Sequence, residues 1–327
     1  MTSAGSSPIN GAKHPDGAGQ GLYVIGMHRS GTSAVTGIVS RFGIHGPPDE
    51  DLFPTKEWNE QGNHESATLT RFNEALLSLV GGDWSAPPVL APNWESDPAV
   101  AGRREKAGVL IERVFGRERF VWKDPRNCLL LPFWRSATAP PRAAIFVYRD
   151  PLEVANSITA RAGFSTTLGV ALWERYVRGA VANLDGVPTL VVGFDRVLEQ
   201  PDEWQEELVE FLTVAGLDVE REPAASTDRT LDRKLRHHQT SPSLDPKARL
   251  HDSQRQLLDV LDRMQGPHHQ WSAPELGDEP GWVEDVLTLR REYVVERRKH
   301  RPSTSPMART GHLIRRVGRR LGGGAGR

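Results

Sequence analysis

The stretch from Leu22 to Phe42 limits the possible folds of this chain more than any other segment. It begins with a short β-like apolar run and passes through a turn that contains Gly26 and Gly31. It then continues with apolar residues at helical spacing, namely Ala34, Val35, Ile38, Val39 and Phe42. A strand, a glycine-containing loop and a helix start, in this order, direct backbone N–H groups and the positive end of a helix dipole at one point. The stretch therefore predicts a site for a phosphate-like or sulfate-like anion.

The side chains of this loop decide which class of anion site it resembles. Ser30, Thr32 and Ser33 offer hydroxyl donors, and Arg29 adds a fixed positive charge. The loop that binds nucleoside triphosphates, G-x-x-x-x-G-K-[ST], has a lysine directly after its second glycine. In this chain Thr32 stands at that position, and the basic residue lies inside the loop as Arg29. An ordinary glycine-rich turn between a strand and a helix is the alternative interpretation.

Composition excludes several classes of function. The formal net charge of −1 over 327 residues gives no overall field that favours nucleic acid, so an anion site must be local. The single cysteine, Cys128, cannot form a disulfide within the chain or a cysteine-based zinc site, and it suits a reducing compartment. We find no apolar run long enough to span a membrane and no basic-then-apolar order typical of a signal peptide. We therefore expect a cytoplasmic protein.

Three segments are expected along the chain. Residues 1–20 are rich in Gly, Ser, Ala and Pro and are expected to form a disordered arm, and 21–300 are expected to form a single α/β domain. Residues 301–327 form a basic, Gly-rich tail, which we expect to be flexible. Leu313, Ile314, Val317 and Leu321 could form one face of a short helix in this tail. Such a helix would suit weak contact with a membrane surface or an acidic partner, although a frayed basic tail is the interpretation that we favour.

Apolar runs and helical periodicity alternate through the central segment. Strands are predicted at 22–25, 119–122, 143–148 and 189–192. Helices are predicted after the first loop and near 69–80, 101–115, 150–161, 166–184, 201–214, 250–265 and 281–299. Strands that alternate with helices predict a doubly wound parallel sheet flanked by helices, in which ligands bind beyond the carboxyl ends of the strands. The Pro/Trp-rich residues 83–98 are expected to form a surface loop or lid.

A second strand–helix junction follows the apolar run that ends at Tyr148. Asp150 is a good N-cap and Pro151 suits the first helical position. Arg149 at the strand end and Ser157 eight residues later offer a planar donor fork and a hydroxyl, and Arg161 lies one turn beyond Ser157 on the same face. The alternative is that Arg149 pairs with Asp150 or Glu153 while Ser157 only packs.

These two junctions, in this order and about 120 residues apart, resemble the sulfotransferases that use 3′-phosphoadenosine 5′-phosphosulfate (PAPS). The loop His28-Arg29-Ser30-Gly31-Thr32-Ser33 is similar to that of the bacterial members, and more distantly to those of the Golgi carbohydrate and tyrosylprotein enzymes. The resemblance implies a P-loop-like sulfotransferase fold and PAPS as co-substrate. It implies that the first loop binds the 5′-phosphate and that the second junction binds the 3′-phosphate. The implied donor-binding residues are His28, Arg29, Ser30, Gly31, Thr32, Ser33, Arg149, Ser157 and Arg161. A weaker suggestion is that Lys234, Arg236 and His237 also reach the nucleotide.

The resemblance also implies a chemistry, namely in-line transfer of a sulfuryl group from PAPS to an acceptor oxygen or nitrogen. Arg29 would stabilise charge on the bridging oxygen. Lys123, in a Lys-Asp-Pro segment like that of the tyrosylprotein enzymes, would reach the transferred group, although an ion pair with Asp124 is an equal alternative. No metal ion is required, since positioned cations and amides can stabilise the transferred charge.

An acceptor hydroxyl also needs a general base. The segment Asn59-x-x-Gly62-x-x-Glu65 resembles one found after the loop in bacterial members, so Glu65 is the first candidate, with His64 and Glu50 as competitors. The expected acceptors are carbohydrates, glycolipids or small molecules, with residues 45–94 shaping their pocket and no nucleic acid as partner. Two alternative functions are a P-loop kinase of small molecules and a non-catalytic nucleotide-binding member.

Overall fold

The computed structural model describes residues 21–53, 64–116, 118–220 and 250–299. The arm at 1–20, the basic tail at 301–327 and the basic residues 234–237 lie outside these ranges, and so does most of the segment that precedes Glu65. The chain divides into two units, Met1–Thr288 and Leu289–Arg327. The domain boundaries expected at residues 20 and 300 therefore stay predictions.

A central sheet organises the first unit. Its described strands are β1 (Gly21–Ile25), β2 (Phe120–Lys123), β3 (Ala143–Tyr148), β4 (Thr189–Gly193) and β5 (Gly266–His268). They lie in the order β2-β1-β3-β4-β5, and the first four are mutually parallel. The register pairs Val24 of β1 with Lys123 of β2, so that these two strands end side by side. The predicted α/β fold with a mostly parallel sheet is confirmed.

Helices connect the parallel strands. In chain order they are α1 (Thr32–Ser40), α2 (Ala67–Leu79), α3 (Pro98–Ala101), α4 (Arg104–Phe115), α5 (Asn127–Ala137), α6 (Pro151–Ala162), α7 (Thr166–Asn183), α8 (Phe194–Glu199), α9 (Pro201–Val214), α10 (Asp252–Arg263) and α11 (Gly281–Lys299). Asp150 caps α6 as predicted, since its carboxylate accepts hydrogen bonds from the backbone N–H groups of Leu152 and Glu153. None of the described helices is long and apolar enough to cross a membrane.

The two faces of the sheet bury alternate residues of each strand. One face buries Tyr23, Trp122 and Phe146 against α2, α5 and α7. The other face buries Leu22, Val24 and Val147 against α1 and α9. Because both faces are covered, the strands are apolar throughout, as is typical of parallel sheets. The carboxyl ends of the strands are therefore the part of the sheet where polar loops converge.

Three elements differ from the sequence predictions. The edge strand β5 runs antiparallel to β4, in a stretch where no strand was predicted. The helix α5 follows directly after β2 and contains Pro132, and its apolar residues were not recognised as a helix. The short helix α8 begins directly after β4, in a stretch where no helix was predicted. Residues 83–98 contain short helical turns at Trp94–Ser96 and at the start of α3 but no strand, as expected for a structured loop.

The described part of the second unit, residues 289–299, is helical. In this segment the Tyr293 ring lies 5.3 Å from the guanidinium carbon of Arg290 and 5.7 Å from that of Arg297. These contacts cover part of an exposed aromatic ring by cation–π interaction.

Candidate active site

The carboxyl ends of the four parallel strands bring four polar loops to one edge of the sheet. The loop of residues 26–31 follows β1, and Lys123 ends β2. Arg149 and Asp150 follow β3, and Phe194 follows β4. Lys123 and the predicted donor-binding residues thus lie at or directly after the ends of neighbouring strands, whereas the predicted bases Glu65 and His64 lie in the segment before α2.

Two glycines allow the first loop to fold against the sheet. A Cβ atom at Gly26 would collide with the carbonyl oxygen of Val147 on β3, so the end of β1 can approach β3 only without a side chain. Gly31 has a φ of 91°, in the left-handed region, and its Cα faces the ring of Phe194. Packing within the protein is therefore a reason for both glycines besides the approach of a ligand.

The N-terminus of α1 points its backbone donors into this loop. Gly31 is the N-cap, so no side chain caps the first turn. The Ser30 hydroxyl is buried and, among the described residues, has no hydrogen-bond partner, and Thr32 is only 4% exposed. Ser33 is partly exposed. An anion at this helix end would consequently meet mainly the backbone N–H groups and the Ser33 hydroxyl.

A direct hydrogen bond joins the first loop to the second junction. The Nε atom of Arg29 donates to Oγ of Ser157 over 2.8 Å, although the two residues are 128 positions apart in the sequence. Ser157 is 3% exposed and lies on α6. The alternative in which Ser157 only packs is therefore wrong. Arg29 itself adopts a left-handed backbone conformation with a φ of 73°, which is uncommon for a residue other than glycine.

Three arginines crowd together at this contact. Burial, followed by the positive charges of Arg161 and Arg149, lowers the pKa of Arg29 to about 10. Burial also lowers the pKa of Arg161. Across the ranges that the structure describes, no carboxylate lies within ion-pair distance of Arg29. A partly buried cation that has no carboxylate partner among the described residues favours binding of an anion at this position.

Arg149, unlike Arg29, forms an ion pair with a carboxylate. Its Nε and Nη2 atoms both lie 2.6 Å from Oε2 of Glu153, one turn along α6. Its guanidinium also stands over the Phe194 ring, 5.4 Å from the ring centroid. The alternative that Arg149 pairs with Glu153 is thus what the structure contains, and this pair lies beside Ser157.

Lys123 pairs with Glu65 and not with Asp124. The Lys123 Nζ donates to Oε1 of Glu65 over 2.6 Å, and Arg126 lies 3.9 Å from the other carboxylate oxygen. Asp124 instead accepts hydrogen bonds from both the backbone and the side chain of Arg126 and from Asn73. The alternative ion pair between Lys123 and Asp124 is therefore wrong, and Lys123 and Glu65 belong to one charged group.

The competing candidates for general base lie in different surroundings. His64 has a φ of 49°, and its Nε2 atom approaches Gly37 on α1, 3.4 Å from where a Cβ would stand. Burial and the charge of Lys123 lower the pKa of His64, which favours the neutral imidazole. Glu50 is exposed on the 3₁₀ helix Asp49–Asp51. Glu65 and His64 thus both face Lys123.

His28 lies in an aromatic pocket beside the loop. Its ring centroid is 4.9 Å from that of Trp84 and 5.8 Å from that of Tyr176. Its Nε2 atom is buried and has no partner within the described ranges. Burial lowers its pKa well below the usual value, and four positive charges act in the same direction, those of Arg126, Lys123, Arg161 and Arg29. His28 is therefore neutral near pH 7.

Helix α7 holds the loop of residues 83–98, which contains Trp84, beside this pocket by hydrogen bonds. The Tyr176 hydroxyl donates to the carbonyl of Trp84 over 2.8 Å, and Arg175 donates to the carbonyl of Pro87. Trp84 also stacks on Phe164, with ring centroids 5.7 Å apart. The rings of His28, Trp84, Tyr176 and Phe164 form an aromatic wall next to the charged group that contains Lys123 and Arg126.

Sequence reasoning named Glu153 only as an alternative ion-pair partner of Arg149, and it assigned no role at this site to Phe194 or Arg126. The signal for the Arg149–Glu153 pair is its i,i+4 spacing, which places the two side chains on one helix face. No comparable signal exists for Phe194, because its contact with Gly31 depends on the adjacency of β3 to both β1 and β4. No group of three or more His, Cys, Asp or Glu side chains that could hold a metal ion occurs in the described residues.

The similarities of this chain to known proteins are structural and distant. No family model matches this sequence, and no curated protein sequence matches it. The structure is similar to the sulfotransferase domain from the Synechococcus PCC 7002 olefin synthase, with 16% identity, a TM-score of 0.41 and coverage of 77% of this chain and 98% of that domain. It is also similar to the sulfotransferase domain from the curacin biosynthetic pathway, with 13% identity, a TM-score of 0.41 and coverage of 75% and 98%. Similarities this distant do not assign a function to the chain.

Proposed function

We propose that this chain is a sulfotransferase that transfers a sulfuryl group from PAPS to a hydroxyl or amine group of a carbohydrate, glycolipid or small-molecule acceptor. The observation that supports the proposal most strongly is the hydrogen bond between Arg29 and Ser157. It brings together two sequence junctions that were each predicted to bind one phosphate of the same donor.

The charge of this site fits a donor with two separate anionic groups. The first loop offers the N-terminus of α1, the partly exposed Ser33 and the uncompensated Arg29 to a 5′-phosphate. The second junction offers Arg149 and Ser157, with Arg161 one turn further along α6, to a 3′-phosphate. Donors that lack the ribose phosphate would not make these contacts with Arg149 and Ser157.

In this in-line transfer the sulfuryl group passes directly from the donor to the acceptor, without a covalent bond to the protein. The bond between sulfur and the bridging phosphate oxygen breaks while the acceptor oxygen forms its bond to sulfur, and the acceptor proton leaves to a base. Arg29 would stabilise the negative charge that develops on the bridging oxygen. Lys123, which ends β2 next to β1 and is oriented by its hydrogen bond to Glu65, would stabilise the negative oxygens of the transferred group.

Glu65 is the first candidate for the general base, since it is a partly buried carboxylate within this charged group. Its hydrogen bond from Lys123 orients the carboxylate and leaves the second oxygen 3.9 Å from Arg126. His64 is the second candidate, because its lowered pKa keeps the imidazole unprotonated near pH 7. The acceptor would enter along the wall that Trp84 and Phe164 form.

The proposal is tested by incubating the purified protein and a cell extract with radiolabelled PAPS. We expect label to enter a carbohydrate, lipid or small-molecule fraction, and Arg29→Ala to abolish most of the incorporation. Arg41→Ala, at the opposite end of α1, serves as a matched control that should retain activity. If no label enters from PAPS but phosphate is transferred from labelled ATP with Mg²⁺ in a parallel incubation, the protein is a kinase. Tight bisphosphate binding without any transfer would indicate a non-catalytic member.

A further inference from the structure

The carboxylate of Glu153 occupies the edge of Arg149 that a phosphate would use. Both Nε and Nη2 of Arg149 lie 2.6 Å from the same carboxylate oxygen. These two nitrogens form the side of the guanidinium that binds an oxyanion through two parallel hydrogen bonds. Arg149 is 7% exposed and Glu153 is 8% exposed, so the pair is shielded from water.

Glu153 also lies among other negative charges. Asp150 is the N-cap of its own helix, and Asp195 lies on α8. Burial raises the pKa of the Glu153 carboxyl, Arg149 opposes this shift, and Asp195 and Asp150 add to it, with a net rise as the result. A phosphate that arrives at Arg149 would add a further negative charge at contact distance from this carboxylate.

We propose that Glu153 is a positioning residue that competes with the donor's 3′-phosphate for Arg149, and that it takes up a proton when this phosphate binds. The inference depends on the proposed function, because it assigns the 3′-phosphate to Arg149. In the free protein the carboxylate holds the guanidinium in place over Phe194. On binding, a proton from solvent neutralises the carboxylate, and Arg149 turns its charge to the phosphate while the neutral carboxyl still accepts one hydrogen bond.

This proton uptake makes the affinity for the bisphosphate depend on pH. Binding that takes up a proton becomes weaker as the pH rises, because the proton is then less available. The bisphosphate product would therefore dissociate more readily at higher pH. A ligand with only a 5′-phosphate does not reach Arg149, and its binding should not be coupled to Glu153.

The test is calorimetry with adenosine 3′,5′-bisphosphate and, separately, adenosine 5′-phosphate at pH 6.5, in two buffers of different ionisation enthalpy. The difference between buffers gives the number of protons exchanged. A phosphate has its own second pKa near 6 and releases protons when it binds to cations. A net uptake by the native protein therefore requires a protein group, and we expect it for the bisphosphate but not for the monophosphate.

Glu153→Gln removes the titrating group and keeps the shape. We expect it to bind the bisphosphate about tenfold more tightly at pH 7.5, the change that corresponds to one pKa unit, and to lose the uptake. Its affinity for adenosine 5′-phosphate should be unchanged. Glu153→Asp should keep the uptake, and Glu207→Gln, which breaks the comparable Arg196–Glu207 pair with its 2.8 Å contact, should behave as native. Thermal unfolding of each variant checks that it is folded.

The outcomes separate this inference from the proposed function. If the native protein binds the bisphosphate no better than the monophosphate, the proposed function fails. If it prefers the bisphosphate but releases protons, or if Glu153→Gln leaves the affinity and the proton count unchanged, the role of Glu153 is wrong while the proposed function stands.

Discussion

Arg29 combines three features that rarely occur together in a structural residue. It is partly buried, it adopts a left-handed backbone conformation, and burial, followed by the charges of Arg161 and Arg149, lowers its pKa to about 10. Each feature costs free energy in the free protein, and strain of this kind is concentrated at functional sites. An anion that binds between Arg29 and the N-terminus of α1 would offset that cost.

The first prediction concerns this charge. Arg29→Ala should lower the rate of sulfuryl transfer about 10²–10³-fold, the usual loss when one preorganised donor to a developing charge is removed. Arg29→Lys should recover only part of the rate, since an ammonium cannot donate to Ser157 and to the donor in the same fork geometry. Initial rates with saturating PAPS measure both effects. A native rate for Arg29→Ala would remove Arg29 from the chemistry.

The second prediction distinguishes the two candidate bases. Glu65→Gln should lower kcat about 10²–10⁴-fold, as expected for loss of a general base, with little change in affinity for adenosine 3′,5′-bisphosphate. His64→Gln should lower kcat less than tenfold. The reverse order of the two effects would transfer the role to His64, and a loss of bisphosphate affinity in Glu65→Gln would mean that Glu65 acts through Lys123.

The third prediction uses the buried imidazole of His28. Its pKa is lowered in the folded protein, so the unfolded chain binds a proton that the folded chain does not. The stability that this difference contributes is present above the unfolded pKa near 6.5 and is lost as the pH falls. Between pH 6.5 and 5.5 the loss from one such group is about 1 kcal/mol. Urea unfolding should show this decrease, and His28→Phe, which keeps the ring contacts, should show that much less of it.

At the scale of the elements, the loop between β1 and α1 depends on close packing under Phe194. The fourth prediction is that Gly31→Ala destabilises the protein by at least about 1–2 kcal/mol, because alanine at positive φ is strained and its Cβ would collide with the Phe194 ring. Gly37→Ala in the same helix is the matched control. It meets only His64 at 3.4 Å and should be neutral or stabilising by up to about 1 kcal/mol. Equal stabilities of the two variants in denaturant titrations would contradict this account.

The elements that the sequence predicted correctly are those with a local signal. Strand β3 has the bounds that its apolar run predicted, and α6 begins directly after its predicted N-cap, Asp150. Helix α5 was missed because Pro132 interrupts an apolar run without clear helical periodicity. Strand β5 was missed because Gly266-Pro267-His268 has low strand propensity and pairs only through its contact with β4.

Only part of the candidate site could be predicted, because many of its side-chain contacts have no local signal in the sequence. Arg29 and Ser157 could be expected to meet, since both follow strands that end at one edge of a parallel sheet. The partner of Lys123 could not be predicted, because Glu65 precedes a helix whose position depends on the buried bonds between Asn73 and Asp124. Side-chain pairings across elements are set by tertiary packing rather than by spacing in the sequence.

At the scale of the whole molecule, the sheet positions loops that carry both positively and negatively charged side chains. Lys123, Arg126 and Asp124 are nearly fully buried at the end of β2, and their bonds reach α2. Four strand ends thus hold cations and carboxylates at fixed distances before any ligand arrives. We propose that the loop after β1 and the helix after β3 form one site for both phosphates of a single donor.

Calorimetry with the native protein tests that claim most directly, by comparison of adenosine 3′,5′-bisphosphate, adenosine 5′-phosphate and ATP with Mg²⁺. Charge-assisted hydrogen bonds contribute about 1.5–3 kcal/mol each, so we predict that the bisphosphate binds at least about 100-fold more tightly than the monophosphate. We also predict that ATP with Mg²⁺ binds more weakly than the bisphosphate. Equal affinities for the bisphosphate and the monophosphate would show that the second junction holds no phosphate and would contradict the account.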